Sequence, residues 1–133
     1  MIIMSQMKFA TAINCMDGRT QLPIIAYLKA KCKVDCVDVV TEAGPVKILA
    51  DCEDRVLVDS IKRRVEISIG KHRSKCIAVV GHFDCAGNPV SKETQIEQIL
   101  KSIKTVQSWG FKVEILGLWI DENWTVHEIK EKW

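Results

Sequence analysis

Hydrophobic and polar positions along this chain form two kinds of segment. Short, continuous apolar or β-branched runs predict strands at 8–14, 34–40, 75–82 and 111–120. The run at 75–82, KCIAVVGH, is apolar between polar ends, as expected of a strand that is buried on both faces. A fifth, shorter run at 124–129 follows a DEN turn and predicts a strand that returns antiparallel.

Apolar residues at helical spacing occupy the intervals between these strands. LPIIAYLKAK, residues 22–31, predicts a short helix, and apolar residues four positions apart predict a second helix from about 51 to 70. The clearest helix covers about 91 to 109, and Gly110 suits its C-terminal end. Residues 41–45, TEAGP, are predicted to form a turn.

The alternation of strands and helices predicts an α/β fold. We expect a central, mostly parallel sheet of about four parallel strands plus a short C-terminal antiparallel strand, flanked by helices on both faces. The 133 residues contain no repeat, low-complexity segment or linker, so residues 1–133 are expected to form a single domain. In such sheets, ligands bind beyond the carboxyl ends of the strands, where the strand order reverses.

The composition is that of an ordinary soluble globule, with 47% hydrophobic and 27% charged residues. The formal net charge is only +2, so no nucleic-acid partner is expected. No apolar run is long enough to cross a bilayer, so no membrane partner is expected either. The first residues do not resemble a signal peptide. We therefore expect a cytoplasmic protein whose six cysteines stay reduced.

Two groups of reactive side chains directly follow predicted strands. Cys15, Asp17 and Arg19 follow the first strand, and His82 and Cys85 follow the third. Thiolate and imidazole ligands match the preferences of Zn²⁺. Three protein ligands leave one of the four tetrahedral positions open, as in a catalytic zinc site. The sequence therefore predicts a Zn²⁺ site made by the two cysteines and the histidine.

These two motifs, in this order, resemble those of the β class of carbonic anhydrases, which carry Cys-x-Asp-x-Arg and His-x-x-Cys at the ends of two strands. The resemblance runs from about residue 8 to the C-terminus and includes the closing segment EILGLWIDENWTVHEI. It implies a zinc enzyme that reversibly hydrates carbon dioxide to bicarbonate through zinc-bound hydroxide. It also implies that Cys15, His82 and Cys85 are the metal ligands, and that the chain forms a homodimer or a higher homo-oligomer.

The resemblance implies catalytic roles for Asp17 and Arg19. A free carboxylate two residues from a zinc-binding cysteine could itself bind the metal, and a bidentate arginine can hold it away. Held in this way, Asp17 would accept a hydrogen bond from the zinc-bound water and orient its attack. The alternative interpretation of the pair is a simple salt bridge that caps the turn.

The sequence departs from the family pattern at three places. TEAGP stands where the family often has an RNAGN-like segment, Ala86 follows Cys85 where glycine is usual, and fewer residues precede the first strand. For the expected dimer, the chain offers apolar surface at Trp119, Trp124 and Trp133.

Other functions remain open at this stage. The same zinc architecture serves carbon disulfide and carbonyl sulfide hydrolases, and a related fold could bind zinc without turnover. A thiolate phosphatase, with Cys15 as nucleophile and Arg19 as anion ligand, would need a longer loop between them.

Four cysteines remain outside the two motifs. Cys32 and Cys36 could form a second metal or redox pair, although buried thiols are the simpler interpretation for them and for Cys52 and Cys76.

Overall fold

Five strands form one sheet in the described part of the chain, residues 7–130 of a computed structural model. In chain order the elements are β1 (Phe9–Cys15), α1 (Gly18–Cys32), β2 (Cys36–Glu42), α2 (Pro45–Asp51), α3 (Arg55–His72), β3 (Cys76–His82), α4 (Lys92–Gln107), β4 (Glu114–Ile120) and β5 (Val126–Ile129). None of these helices combines the length and the hydropathy that a bilayer crossing requires.

The strand order in the sheet is β2-β1-β3-β4-β5. The first four strands are mutually parallel, and β5 pairs antiparallel with β4. The chain proceeds outward from β1 to β2 and then returns to the other side of β1 with β3. The strand order therefore reverses between β1 and β3, and the predicted fold class is confirmed.

Side chains alternate between the two faces along each strand, and helices cover both faces of the sheet. On one face, residues of β1 and β3 pack against α2, α3 and α4 in a cluster that includes Ile13, Leu49, Ile61, Ile77 and Ile99. On the other face, the small side chains of Ala12 and Ala78 pack near Ile24 and Leu28 of α1. The predicted helical layers on both faces are therefore present.

The turn predicted at 41–45 is present as a bend at residues 43–44, and it leads into the short helix α2, which was not predicted. Gly44 adopts a left-handed conformation (φ 65°) as its N-cap, and Pro45 occupies the first turn, where a missing N–H is harmless. Val46 and Leu49 bury the inner side of this helix. Seven residues are too few to give a clear helical period, and for this reason the sequence did not predict the helix.

Helix ends also differ from the predicted ones because capping side chains set them. Asp17 caps α1, so that helix begins at Gly18 rather than residue 22. Asp54 accepts a hydrogen bond from the N–H of Leu57, and α3 therefore begins at Arg55 rather than near residue 51.

The three tryptophans predicted to offer apolar surface for a dimer provide less of it than expected. Trp119 is 3% exposed and belongs to the core on the α2–α4 face, so it offers no surface for a partner. Its position on β4, which lies inside the sheet rather than at an edge, explains this burial. Trp124 is half-buried, and Trp133 lies outside the described residues.

A candidate metal centre between the ends of β1 and β3

Three potential metal ligands meet at the point where the strand order reverses. Cys15 is the last residue of β1, His82 is the last residue of β3, and Cys85 follows in the next turn. One ligand atom from each lies within 4.8 Å of the others, and all three residues are buried. The two sulfur atoms are 3.8 Å apart. The structure thus brings together the three residues that the sequence predicted as ligands, in an arrangement that fits a metal ion.

The imidazole of His82 is oriented as metal-binding histidines usually are. Its Nδ1 lies 2.7 Å from the carbonyl oxygen of Phe83, which can only accept a hydrogen bond. The Nδ1–H therefore donates, and Nε2 carries the lone pair. That Nε2 is buried and has no hydrogen-bond partner among the described residues. A buried acceptor without a partner is costly, and a metal ion would satisfy it.

The local electrostatics favour negative charge on the Cys15 sulfur and not on the Cys85 sulfur. A hydrogen bond from Cys85, outweighing burial, lowers the pKa of Cys15 to about 4. The same pairing, followed by burial, raises the pKa of Cys85, which keeps its proton. For His82, burial opposes protonation, but the nearby Cys15 sulfur and the Asp17 carboxylate raise its pKa. The second thiolate would therefore need a cation beside it, which a divalent metal supplies.

Backbone N–H groups from two loops support the sulfur atoms. The backbone N–H of Gly44 lowers the pKa of Cys15, and the backbone N–H of Gly87 opposes the rise in the pKa of Cys85. The two loops pack backbone against backbone, since a Cβ atom on Gly87 would lie 2.8 Å from the carbonyl carbon of Ala43. Close approach of the two loops therefore requires glycine at both positions. Gly44 supports the site although other residues of TEAGP differ from the family pattern.

Gln95 is a supporting residue that the sequence analysis missed. It projects from α4, is only 2% exposed, and contacts the backbone of His82 on both sides. Its Nε2 donates to the His82 carbonyl at 2.7 Å, and its Oε1 accepts from the His82 N–H at 3.2 Å. A signal was present, because Gln95 is a polar residue in register with the buried Ile99 and Ile103 of that helix.

Replacing Gln95 with methionine is expected to loosen His82. The change leaves a buried N–H and C=O without partners, which should reduce the free energy of unfolding by about 1–3 kcal/mol. Metal affinity should fall by ~10–100-fold, as for other groups that orient ligands. Chemical denaturation and metal competition with a chromophoric chelator measure both. Gln107→Met, on the exposed end of the same helix, is the control, and equal behaviour of the two variants would contradict this role.

Asp17 and Arg19 form a closely bonded pair beside the cluster. The Asp17 Oδ1 accepts from the backbone N–H and the Nε of Arg19 at 2.9 and 3.0 Å, and its Oδ2 accepts from Nη2 at 2.7 Å. These hydrogen bonds lower the pKa of Asp17 to about 2. Both carboxylate oxygens are thus held by Arg19, and Asp17 is not part of the three-residue cluster.

Arg19 is fixed from the opposite side as well. Its Nη1 contacts the Asp84 carboxylate at 3.3 Å, its Nη2 donates to the Asp84 carbonyl at 3.1 Å, and its guanidinium lies 4.6 Å from the centre of the Trp124 ring. Asp84 adopts a left-handed conformation (φ 59°) and connects the His82–Cys85 turn to Arg19. The two sequence motifs are therefore linked through one arginine.

A cleft of about 460 Å³ borders the cluster on the side of Cys85. Its lining combines apolar side chains with the first turn of α4 and includes Phe83, Cys85, Val90, Gln95 and Trp119. A small molecule could reach the immediate surroundings of Cys85 through this cleft.

The family profile described as "Putative carbonic anhydrase" matches residues 5–130. The chain belongs to this family. The resemblance to β-class carbonic anhydrases that the two motifs indicated is confirmed. Among curated protein sequences, none matches the chain significantly.

Solved structures of β-class carbonic anhydrases share the fold. Isoform I from Trichomonas vaginalis is 17% identical, with a TM-score of 0.61 over 93% of this chain and 83% of that chain. A tetrameric β-carbonic anhydrase from Sordaria macrospora is 15% identical, with a TM-score of 0.54 over 93% of this chain and 81% of that chain. At these identities the likeness establishes the architecture.

The remaining histidines and cysteines of this carbonic anhydrase family member lie outside the cluster. His72 and His127 contact Asp38 and Asp121 at 2.6 and 2.7 Å. Cys32 and Cys36 do not meet, which excludes the pair that their spacing suggested. Cys36 faces the Met7 sulfur at 3.8 Å, and Cys32 contacts Cys76 instead.

Proposed function

We propose that this chain catalyses the reversible hydration of carbon dioxide to bicarbonate, with Zn²⁺ held by Cys15, His82 and Cys85. The observation that carries the proposal is the buried, unpartnered Nε2 of His82 between two cysteine sulfur atoms, in a chain of the carbonic anhydrase family. Asp17 and Arg19 are the proposed catalytic residues beside this site.

The donor atoms favour zinc over Mg²⁺ and Ca²⁺. Two sulfur atoms and one imidazole nitrogen match zinc, whereas Mg²⁺ and Ca²⁺ prefer oxygen ligands. Two thiolates also balance the charge of a divalent ion inside a buried site. With three protein ligands, a fourth position remains for a small molecule.

Zinc in such a site supplies Lewis acidity, which lowers the pKa of a water ligand to about 7 and provides a nucleophile at neutral pH. The chain's own residues determine how that chemistry is directed. His82 and the two cysteines hold the ion, and the Phe83 carbonyl and Gln95 keep the imidazole in place.

Asp17 is proposed to act as a hydrogen-bond acceptor at the open position. Because Arg19 holds its pKa near 2, the carboxyl group stays ionised at neutral pH and can accept but not donate a hydrogen bond. Three N–H groups of Arg19 occupy its two oxygens, which favours an Asp17 that leaves the metal position open.

Removal and return of the metal test this proposal. We expect hydration of carbon dioxide to disappear after chelation and to return in proportion to added zinc, up to one zinc per chain. Full activity in zinc-free protein would contradict the proposal. Zinc binding with hydrolysis of carbon disulfide or carbonyl sulfide, but no hydration, would identify the related hydrolase. Zinc binding without any turnover would identify a non-catalytic zinc protein.

We propose further that the chain forms homodimers or higher homo-oligomers. The support is exposed apolar surface next to the site, where Met16 is 65% and Phe83 is 46% exposed. These two residues directly follow Cys15 and His82, so an interface here would lie against the site. Light scattering measures the assembly, and a monomer at all accessible concentrations would contradict it.

A further inference from the structure

Two cysteines that belong to neither motif meet at the other end of the sheet. Cys32 is the last residue of α1, and Cys76 is the first residue of β3. They are 44 positions apart in sequence, and their sulfur atoms lie 2.6 Å from each other. His82 stands at the opposite end of β3, so this pair is separate from the candidate metal centre.

The two thiols differ in their surroundings. Cys76 is 2% exposed and packs among apolar residues with Ala10 and Val34. Burial, followed by the contact with Cys32, raises the pKa of Cys76, so its thiol stays protonated beside the Cys32 sulfur. Cys32 is half-buried and reaches solvent. One thiol of the pair is therefore accessible and the other is protected.

Lysines flank the accessible thiol in the sequence. Cys32 lies in the segment KAKCK, so Lys31 and Lys33 are its direct neighbours and Lys29 is one turn away. Lys75 also donates from Nζ to the Cys32 carbonyl oxygen at 3.2 Å. Lys29, Lys33 and Lys75 would attract an anionic reagent to this end of α1, whereas Lys31 is paired with Glu128 at 3.2 Å.

We propose that Cys32 and Cys76 are a site of reversible covalent modification, at which an anionic low-molecular-weight disulfide converts them to an intramolecular disulfide. The geometry permits it, since the sulfur atoms need to approach by only roughly half an ångström to reach bonding distance. The bond would join the C-terminal end of α1 to the start of β3.

The reaction is a pair of thiol–disulfide exchanges. The Cys32 thiolate attacks one sulfur of the small disulfide, whose S–S bond breaks and releases one small thiolate. The Cys76 thiol passes its proton to that thiolate, and its sulfur attacks the Cys32 sulfur, which releases the second small thiolate. The two cysteines lose two electrons and two protons, and the reagent gains them as two thiols.

The crosslink is expected to stabilise the chain without closing the site. It joins the end of α1 to the start of β3, whereas Arg19 and His82 lie at the opposite ends of these elements. It also closes a long loop in the unfolded chain. The oxidised protein should therefore melt several degrees higher than the reduced protein. Dithiothreitol should remove this increase.

Oxidised glutathione is the probe for this site. Zinc-loaded full-length protein is incubated in glutathione buffers of increasing oxidised fraction, quenched in acid, alkylated with a maleimide and analysed by intact mass and peptide mapping. Mapping separates a Cys32–Cys76 link from a Cys15–Cys85 link, so the result does not depend on whether the proposed hydration activity exists. Cys32→Ser and Cys76→Ser test the two partners, and Cys36→Ser is the matched control.

The expected results differ between the variants. The wild type and Cys36→Ser should lose two hydrogen atoms and yield the Cys32–Cys76 peptide. Cys76→Ser should keep one glutathionyl group on Cys32, because no second thiol can release it. Cys32→Ser should gain neither a link nor an adduct at Cys76. The proposal is overturned if the wild type retains both thiols throughout the glutathione series, or if Cys76→Ser gains no adduct.

Discussion

Cys85→Ser is expected to remove stoichiometric zinc binding and, with it, the hydration of carbon dioxide. The substitution keeps the size of the side chain but replaces a soft thiolate by a hydroxyl, which is a poor zinc ligand at neutral pH. The loss of affinity should exceed the ~10–100-fold that removal of an outer-shell partner costs. Competition with a chromophoric chelator measures the affinity, and stopped-flow hydration measures the activity.

Thermal denaturation separates this loss from misfolding. Zinc that binds only the folded wild type should raise its melting temperature, whereas the variant should melt at the same temperature with and without zinc. Cys52→Ser is the matched control, since Cys52 is half-buried and lies near Thr105, outside the cluster. A Cys85→Ser protein that retains wild-type zinc affinity would contradict the proposed ligand set.

Asp17→Asn is expected to retain one zinc per chain while hydration falls by about 10²–10⁴-fold, the range for loss of a group that handles a proton in the transition state. Asparagine is neutral, and its amide group would present N–H donors where the carboxylate presents only acceptors. It would also weaken the three hydrogen bonds that Arg19 makes to Asp17.

A second Asp–Arg pair of the same chain supplies the control for this variant. Asp59 contacts Arg55 at 3.6 Å on the exposed side of α3, so Asp59→Asn removes an equivalent charge without touching the site. We expect Asp59→Asn to keep wild-type zinc content and activity. If Asp17→Asn behaves in the same way, Asp17 only caps its helix and has no part in catalysis.

The sequence was sufficient to predict that Cys15, His82 and Cys85 lie together, because the position of ligand sites in parallel sheets follows from geometry. Cys15 and His82 each end an apolar strand, and the carboxyl ends of neighbouring parallel strands lie at one edge of the sheet. The alternation of strands and helices was sufficient for the fold class for a similar reason, since few connections between parallel strands are physically allowed.

Other features depend on tertiary contacts that no local pattern contains. Gln95 supports His82 only because α4 packs closely over Gly81, where a Cβ atom would lie 2.9 Å from the Gln95 oxygen. Cys32 pairs with Cys76 rather than with its near neighbour Cys36 because α1 ends beside the start of β3. Trp119 is buried because its side chain packs in the core on the α2–α4 face, a contact that sequence spacing alone does not reveal.

Stopped-flow hydration of carbon dioxide by zinc-quantified protein, measured across pH, tests the central claim most directly. The account predicts one zinc per chain and an activity that rises with pH through a single apparent pKa. One zinc per chain with no hydration at any pH would contradict the proposed activity. Protein purified without a chelator that contains no zinc and gains none when zinc is added would contradict the metal site itself.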